Sequence, residues 1–418
     1  MELKFGYGNG EQLISVDDSS LIDVLMANPV EHKRRGEAAV KAALDDPLLK
    51  NGAVRLAEQS LAGKKTVIIT SDISRPCPSA EILPSVLEEL YAAGVKDEDI
   101  TVVFALGSHR HHTEEEMRRL AGDAVFSRIK CVDSDPEDCV HIGTTSRGTP
   151  VDITRIVAQA EYRICLGNVE FHYFAGYSGG YKAIMPGAST PAAIQANHKM
   201  MLWDGACAGK LEGNPIREDI EEAGQMLGVD YIVNVVLDEH RGIVYAAAGD
   251  PVLAHRDACR YLDKMYIKSV DRKADIVIAA QGGAPKDANL YQLQKALDNA
   301  RHAVRDGGTI ILIGACNEGL GNKTFEQWFA DADSPAALTE RIGREFVLGG
   351  HKAAAIAKVL EIADIYLVSE MDPAFVEGLF MKPYSSAAQA FADALKKHGK
   401  NAEVLAMPFA GATLPHIG

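Results

Sequence analysis

The 418-residue chain is expected to fold as two α/β domains with largely parallel sheets and an interdomain active-site cleft. Three observations carry that expectation. Short Val- and Ile-rich runs alternate with segments of helical period, the pattern of strand–helix–strand units. The alternation occurs twice, on either side of the charged stretch "LDKMYIKSVDRKAD" at 262–275. The length also exceeds what one ordinary core serves.

Taken in order, "MELKFGYGNG" places Gly6, Gly8 and Gly10 between two short runs. No helix pattern follows them, so they read as a hairpin rather than a nucleotide loop. "TVIIT" (66–70), "ITVVFALG" (100–107), "YRICLGNV" (162–169) and "IVNVVLD" (232–238) read as buried strands. "PSAEILPSVLEELYAAG" (78–94) is a helix closed by glycine. "DIVIAA" (275–280), "GTIILIGA" (308–315), "IYLVS" (365–369) and "AEVLAMP" (402–408) make the second series. The boundary falls near 262–274, giving an N-terminal domain of 1–265 and a C-terminal domain of 266–418. The extreme C-terminal tail is expected to pack back on the N-terminal domain.

Composition narrows the function. A net charge of −15 argues against nucleic-acid binding and favours small-molecule partners. The opening residues lack a basic segment followed by an apolar run, and no stretch reaches the roughly 18–20 apolar residues of a membrane span. Neither a secretory signal nor membrane insertion is expected. Seven dispersed cysteines without a CxxC pair read as reduced thiols, hence a cytoplasmic protein.

In open α/β sheets, ligands sit beyond the carboxyl ends of the strands. "SDISRPCPS" follows the first strand with Asp72 and Arg75, and "SHRHHT" follows the second with His109. "EFHYFAGYSGGYK" follows the third with His172 and Lys182. After "DIVIAA" comes "QGGAPKDANLYQLQKAL", where Asp287 is an expected N-cap and Leu290, Leu293, Leu297 and Ala300 form an apolar stripe. Gln292 and Lys295 fall off that stripe, three apart, so both can face one ligand. In "GASTPAAIQANHKMM", Thr190 caps a helix with Pro191 at its first position and His198 two turns in. Cations beside neutral histidines suit a small carboxylate and proton transfer.

Each residue also has an ordinary reading: a structural His172, a surface Lys182, a helix-bound His198, an Arg75–Asp72 loop pair. Their joint fall on strand ends favours a site. "HRHH" is not expected to be a zinc cluster, since consecutive loop histidines cannot all turn to one ion; His109 is the functional member, with His111 and His112 solvated. A Rossmann dehydrogenase is disfavoured, because neither "IGACNEGLGN" (313–322) nor "GYSGGYK" has GxGxxG spacing. GxxxxGK[ST] is missing too, and no serine is expected in a nucleophile elbow, although "GYSGG" (176–180) in the lysine loop has GxSxG spacing.

These motifs together make the sequence resemble the nickel-dependent lactate racemase family along nearly its whole length. The matching segments are "SDISRPCPS" (71–79), "GSHRHHT" (107–113), "FHYFAGYSGGYKAIMPG" (171–187), "ANHKM" (196–200), "GNP" (213–215), "DANLYQLQKAL" (287–297) and "GGHKAAAIA" (349–357). The resemblance implies a nickel pincer nucleotide, a pyridinium mononucleotide whose two sulfur-bearing arms bind nickel. By motif, Lys182 is the covalent link and His198 the protein's nickel ligand. His109 and His172 are the paired acid/base residues, and Arg75 and Lys295 hold the substrate's carboxylate and polarise its oxygen. Asp72 and Gln292 are accessory. The implied reaction is racemisation or epimerisation of a 2-hydroxy acid by reversible hydride transfer through a bound 2-keto acid. Cofactor-synthesis enzymes are implied as partners. A carboxylate-binding protein without catalysis is disfavoured, since it needs neither Lys182 nor His198. The glycines around Lys182 are expected to let the backbone approach a planar nucleotide.

Overall fold

A computed structural model describes all residues from Met1 to Gly418. It divides into two compact units, Val30–Asp263 and a second that joins Met1–Pro29 to Lys264–Gly418. No helix is long and apolar enough to cross a membrane.

Within Val30–Asp263 a six-stranded sheet runs Ile243–Gly249, Tyr231–Leu237, Tyr162–Asn168, Thr66–Ser71, Ile100–Ala105, Lys130–Asp133 across its width. Every pairing is parallel except that of the Ile243–Gly249 edge strand. The four strands expected here are all present, within a few residues of their predicted ends. Their side chains are buried on both faces, which is why they read as continuous apolar runs. Helix Ser79–Ala92 covers one face through Ile82, Leu83, Val86 and Leu90 and ends before Gly94, whose φ is +91°. Chain order reverses between Thr66–Ser71 and Tyr162–Asn168, which makes their carboxyl ends the place for a ligand.

The second unit is a six-stranded, wholly parallel sheet: Lys382–Tyr384, Ala363–Val368, Val304–Ile313, Ala274–Ala280, Val404–Met407, Leu21–Val24. The opening hairpin is Glu2–Tyr7 against Gly10–Ser15, and its Leu3, Phe5 and Ile14 belong to this unit's core. Here the domain expectation is corrected at its N-terminal end. Residues 1–29 belong with the later half of the chain, because Leu21–Val24 completes the edge of its sheet. The tail is corrected too: Leu414–Ile417 pairs with Ile267–Val270 inside its own unit.

Candidate functional site

Two loops leave the reversal point of the first sheet, and a third leaves the strand beside it. Asp72, just past Thr66–Ser71, is buried, and its carboxylate accepts from His109 Nδ1 at 2.9 Å and from the Ser74 hydroxyl at 3.0 Å. Burial pushes the Asp72 carboxyl up, but His109, Ser74 and the nearby Arg75 charge outweigh it and hold it below the usual carboxylate range. Asp72 therefore pairs with His109 rather than forming a loop ion pair with Arg75, whose exposed side chain leaves only its backbone N–H on Asp72 O. With Nδ1 donating to Asp72, His109 keeps its Nε2 lone pair.

His112 corrects the expectation of a solvated ring. It is buried, with Nδ1 2.6 Å from Asp133 and Nε2 accepting the Ile73 N–H at 3.0 Å. It thus fastens the histidine loop to the Asp72 loop. His111 is exposed, as expected, and leans on the same Asp133 at 3.2 Å. Both rings are occupied by a carboxylate, and no group of three or more His, Cys, Asp or Glu could hold an ion.

The lysine loop begins as a two-stranded ribbon, Phe171–His172 against Gly176–Tyr177, and continues into a 3₁₀ turn, Gly180–Ala183. Two of its glycines are required by the protein itself. A Cβ on Gly176 (φ +76°) would sit 2.0 Å from Lys210 O, and one on Gly180 (φ +59°) 2.9 Å from the His255 ring. These contacts give glycine a reason within the protein, beside the expected approach of a nucleotide.

The loop is gripped by its own carbonyls. Arg217, fully buried, donates from Nε to Ala175 O at 3.2 Å and from its terminal nitrogen to Tyr177 O. Asn214 Nδ2 donates to Phe174 O at 2.9 Å, His255 Nε2 to Ser178 O at 2.8 Å, and Gly180 N–H to Asn234 Oδ1 at 2.8 Å. Phe174 is the hub. His172 meets it edge-on at 4.4 Å, His198 at 4.9 Å, and Lys182 Nζ stands 6.0 Å from its centroid.

The electrostatics follow. Burial, then the Arg217 and Arg75 charges, hold the Lys182 amine well below the usual lysine range, against a smaller opposing pull from Glu170. Lys182 is thus only partly exposed, and no ordinary surface lysine. Burial also lowers His172 well below 6.5, reinforced by Lys182, Arg75, His198 and Arg217. His172 Nδ1 accepts the Ala175 N–H at 3.3 Å, so the neutral ring carries its proton on Nε2. Burial brings Arg217 down to about 10, which leaves it charged at neutral pH.

Helix Pro191–His198 starts as expected: Thr190 accepts from Ala193 N at 3.3 Å and Pro191 takes the first position. His198 ends it, buried, with Nδ1 2.9 Å from Asn197 Oδ1. Asn197 is held from behind by helix Pro215–Leu227, donating to Ile216 O and to Asp219. Asn214 lies in the matching segment "GNP" but was given no role there, and Arg217 and Asp219 were not singled out in the sequence. The available signal was Arg217, a charge standing three residues before Ile220 and seven before Gly224, all buried on one stripe.

The other unit carries Gln292 and Lys295 on helix Leu290–Ala300, both exposed on one face while Leu290, Leu293, Leu297 and Ala300 are fully buried. The cap is corrected: Asn289, not Asp287, accepts from Gln292 N. Asp287 instead lies buried, accepting from Gly8 N at 2.7 Å and Ala315 N at 3.0 Å. A cavity of about 400 Å³ lined by Lys273, Arg301 and His302 opens at the amino ends of this unit's strands, opposite to Gln292 and Lys295.

Comparison with known proteins finds one family along both parts of the chain. Residues 7–209 match the family model of the lactate racemase N-terminal domain, and 269–413 that of the lactate racemase C-terminal domain. A protein named lactate racemase from Thermoanaerobacterium thermosaccharolyticum is 32% identical over 401 residues, covering 93% of each chain. Another from Lactiplantibacillus plantarum is 30% identical over 408 residues, covering 94% of each. The solved lactate racemase apoprotein of T. thermosaccharolyticum superposes with a TM-score of 0.90 at 30% identity, over the whole of both chains. A Thermotoga maritima structure shares the fold at TM-score 0.63 and 16% identity, covering 91% of this chain and 97% of its own.

Proposed function

The chain belongs to the lactate racemase family, and on that premise we propose that it is an isomerase interconverting the enantiomers of a small 2-hydroxy acid, lactate by the names of its relatives. Its cofactor in this reading is a nickel pincer nucleotide bound covalently to Lys182. The observation that carries the reading is the meeting of three groups on one ring. A depressed amine (Lys182), an imidazole with a lone pair on Nε2 (His198) and a second neutral imidazole (His172) all meet Phe174.

The donor set fits such a group. A lysine amine is acylated in its neutral form, and burial shifts Lys182 toward that form. A single imidazole suits nickel but cannot hold it alone, so the other donors come with the nucleotide's sulfur arms. When bound, the group would take the hydride from the substrate's α-carbon and return it to either face. The chain's own residues then manage protons and charge. His109 Nε2, oriented by Asp72, accepts the hydroxyl proton of one enantiomer and later releases it, while His172 gives its Nε2 proton to the oxygen on the opposite side and takes one back, so that a turnover leaves both rings neutral as they began. Arg75 and Lys295 are assigned to holding the substrate's carboxylate and polarising its oxygen, and Gln292 stays an accessory residue. Each positioned acid or base contributes about 10²–10⁴-fold.

Co-expression with cofactor-synthesis enzymes tests the reading through intact mass. The parent should gain the mass of the nucleotide adduct, and Lys182→Ala should not. An unmodified parent under those conditions, or an equal adduct on Lys182→Ala, removes Lys182 as the tether. Chiral chromatography of lactate, malate and longer 2-hydroxy acids then fixes the substrate.

A further inference from the structure

We propose that Asp219 is a positioning residue for His198, acting through Asn197 to decide which ring nitrogen of His198 is offered as a ligand. The inference rests on the reading of His198 as the protein's nickel ligand. It starts from a carboxylate that is fully buried. Asp219 accepts from the hydroxyl of Thr145, from the hydroxyl of Thr149 at 2.7 Å and from Asn197 Nδ2 at 2.7 Å. A carboxylate only accepts, so the end of the Asn197 amide that faces it is the NH₂. The same NH₂ donates to Ile216 O at 3.3 Å.

The amide oxygen of Asn197 is thereby turned to His198 Nδ1, 2.9 Å away. An amide oxygen also only accepts, so Nδ1 must carry the proton. A neutral imidazole has one proton to place, and Nε2 is left with the lone pair that coordination requires. Remove the charge of Asp219 and only the longer contact to Ile216 O is left to hold the NH₂ end of the amide in place. A reversed Asn197 would offer N–H to Nδ1, send the proton to Nε2 and close that nitrogen to a metal. Thr145 and Thr149 bracket the turn between the antiparallel strands Cys139–Thr144 and Pro150–Thr154. Their rotatable hydroxyls follow the carboxylate and do not dictate its partner.

Apo protein labelled with ¹⁵N-histidine reports the tautomer directly, because long-range ¹H–¹⁵N spectra separate Nδ1–H from Nε2–H rings. His198 is identified by the signals lost in His198→Gln. The parent is expected to show Nδ1–H at His198, while Asp219→Asn and Asn197→Ala move it to Nε2–H with a cooperative melt retained. Thr149→Val keeps the charge and should keep the Nδ1–H signal. An Nε2–H ring in the parent, or an Nδ1–H ring that survives in Asn197→Ala, overturns the proposal. Asn197→Ala decides alone if Asp219→Asn does not fold. In cofactor-loaded protein, Asp219→Asn should still form the Lys182 adduct but retain about 10–100-fold less nickel after desalting; undiminished nickel also overturns it. A parent that forms no adduct defeats the cofactor reading instead, and the tautomer spectra still judge the relay.

Discussion

The loops that carry His109 and His172 leave the two strands flanking Thr66–Ser71, yet they house the same side chain in opposite ways. His109 is partly exposed and coupled to an anion, its Nδ1 on the buried Asp72 carboxylate. His172 lies flat on Tyr173, edge-on to Phe174, and among the charges of Lys182, Arg75 and Arg217. The first arrangement leaves an Nε2 that accepts a proton. The second takes up Nδ1 with the Ala175 N–H and leaves an Nε2 that donates. The difference teaches that neighbours decide which ring nitrogen of a histidine offers a lone pair and which an N–H, so two residues of one type can be prepared in opposite senses.

The largest effects should come from removing either ring. His109→Asn and His172→Asn are each expected to slow lactate racemisation by roughly 10²–10⁴-fold in cofactor-loaded protein, followed by chiral chromatography. Net turnover needs proton traffic on both faces, so the two losses should be comparable. A variant keeping more than about a tenth of the parent rate would take its histidine out of the chemistry. Asp72→Asn sharpens the contrast, since it touches only one side. It should reduce kcat by on the order of 10²-fold while leaving KM nearly unchanged, because an amide can present the wrong group to Nδ1. A selective rise in KM would instead make Asp72 a substrate contact.

How each loop is reached from sequence also differs. The strands were legible because both faces are buried, and the places of the candidate residues because they stand just past strand ends. The Thr190–Pro191 start of the His198 helix was legible from local capping rules. What stayed hidden depends on partners far along the chain. His112 looked like one more loop histidine, and only Asp133 and the Ile73 N–H make it a buried fastener. Arg217 and Asp219 sit in a helix that nothing local connects to the loop 40 residues earlier. The placement of residues 1–29 rests on Leu21–Val24 pairing with Val404–Met407, a contact that periodicity cannot encode.

Arg217 offers a further way to separate the two environments. It is the largest charge acting on Lys182 after burial itself, and it also bears on His172. Arg217→Gln keeps a hydrogen-bond donor for the loop but removes the cation. The Lys182 amine should then move back toward 10.5, so less of it is neutral at pH 7. Labelling of Lys182 by an amine-reactive reagent, read by peptide mass, should fall about tenfold for each unit regained. Arg217→Lys should stay near the parent. Faster labelling in Arg217→Gln would mean that loosening of the loop outweighs the charge.

The smallest effect is on stability, and it belongs to His172. Its folded value lies well below 6.5, while an unfolded histidine titrates near 6.5. Between those values the unfolded chain holds a proton that the folded chain lacks. Stability from this residue is therefore complete above about pH 6.5 and is lost as the pH falls toward the folded value. One group can contribute a slope of at most about 1.4 kcal/mol per pH unit. Asp72 is likewise depressed, but from 3.8, so its own loss begins at lower pH. Urea melts of the parent and His172→Asn at pH 5 and 7 should show the parent losing more stability on acidification. Parallel pH dependences would mean that the ring is protonated in the folded protein, and the division between an accepting His109 and a donating His172 would have to be redrawn.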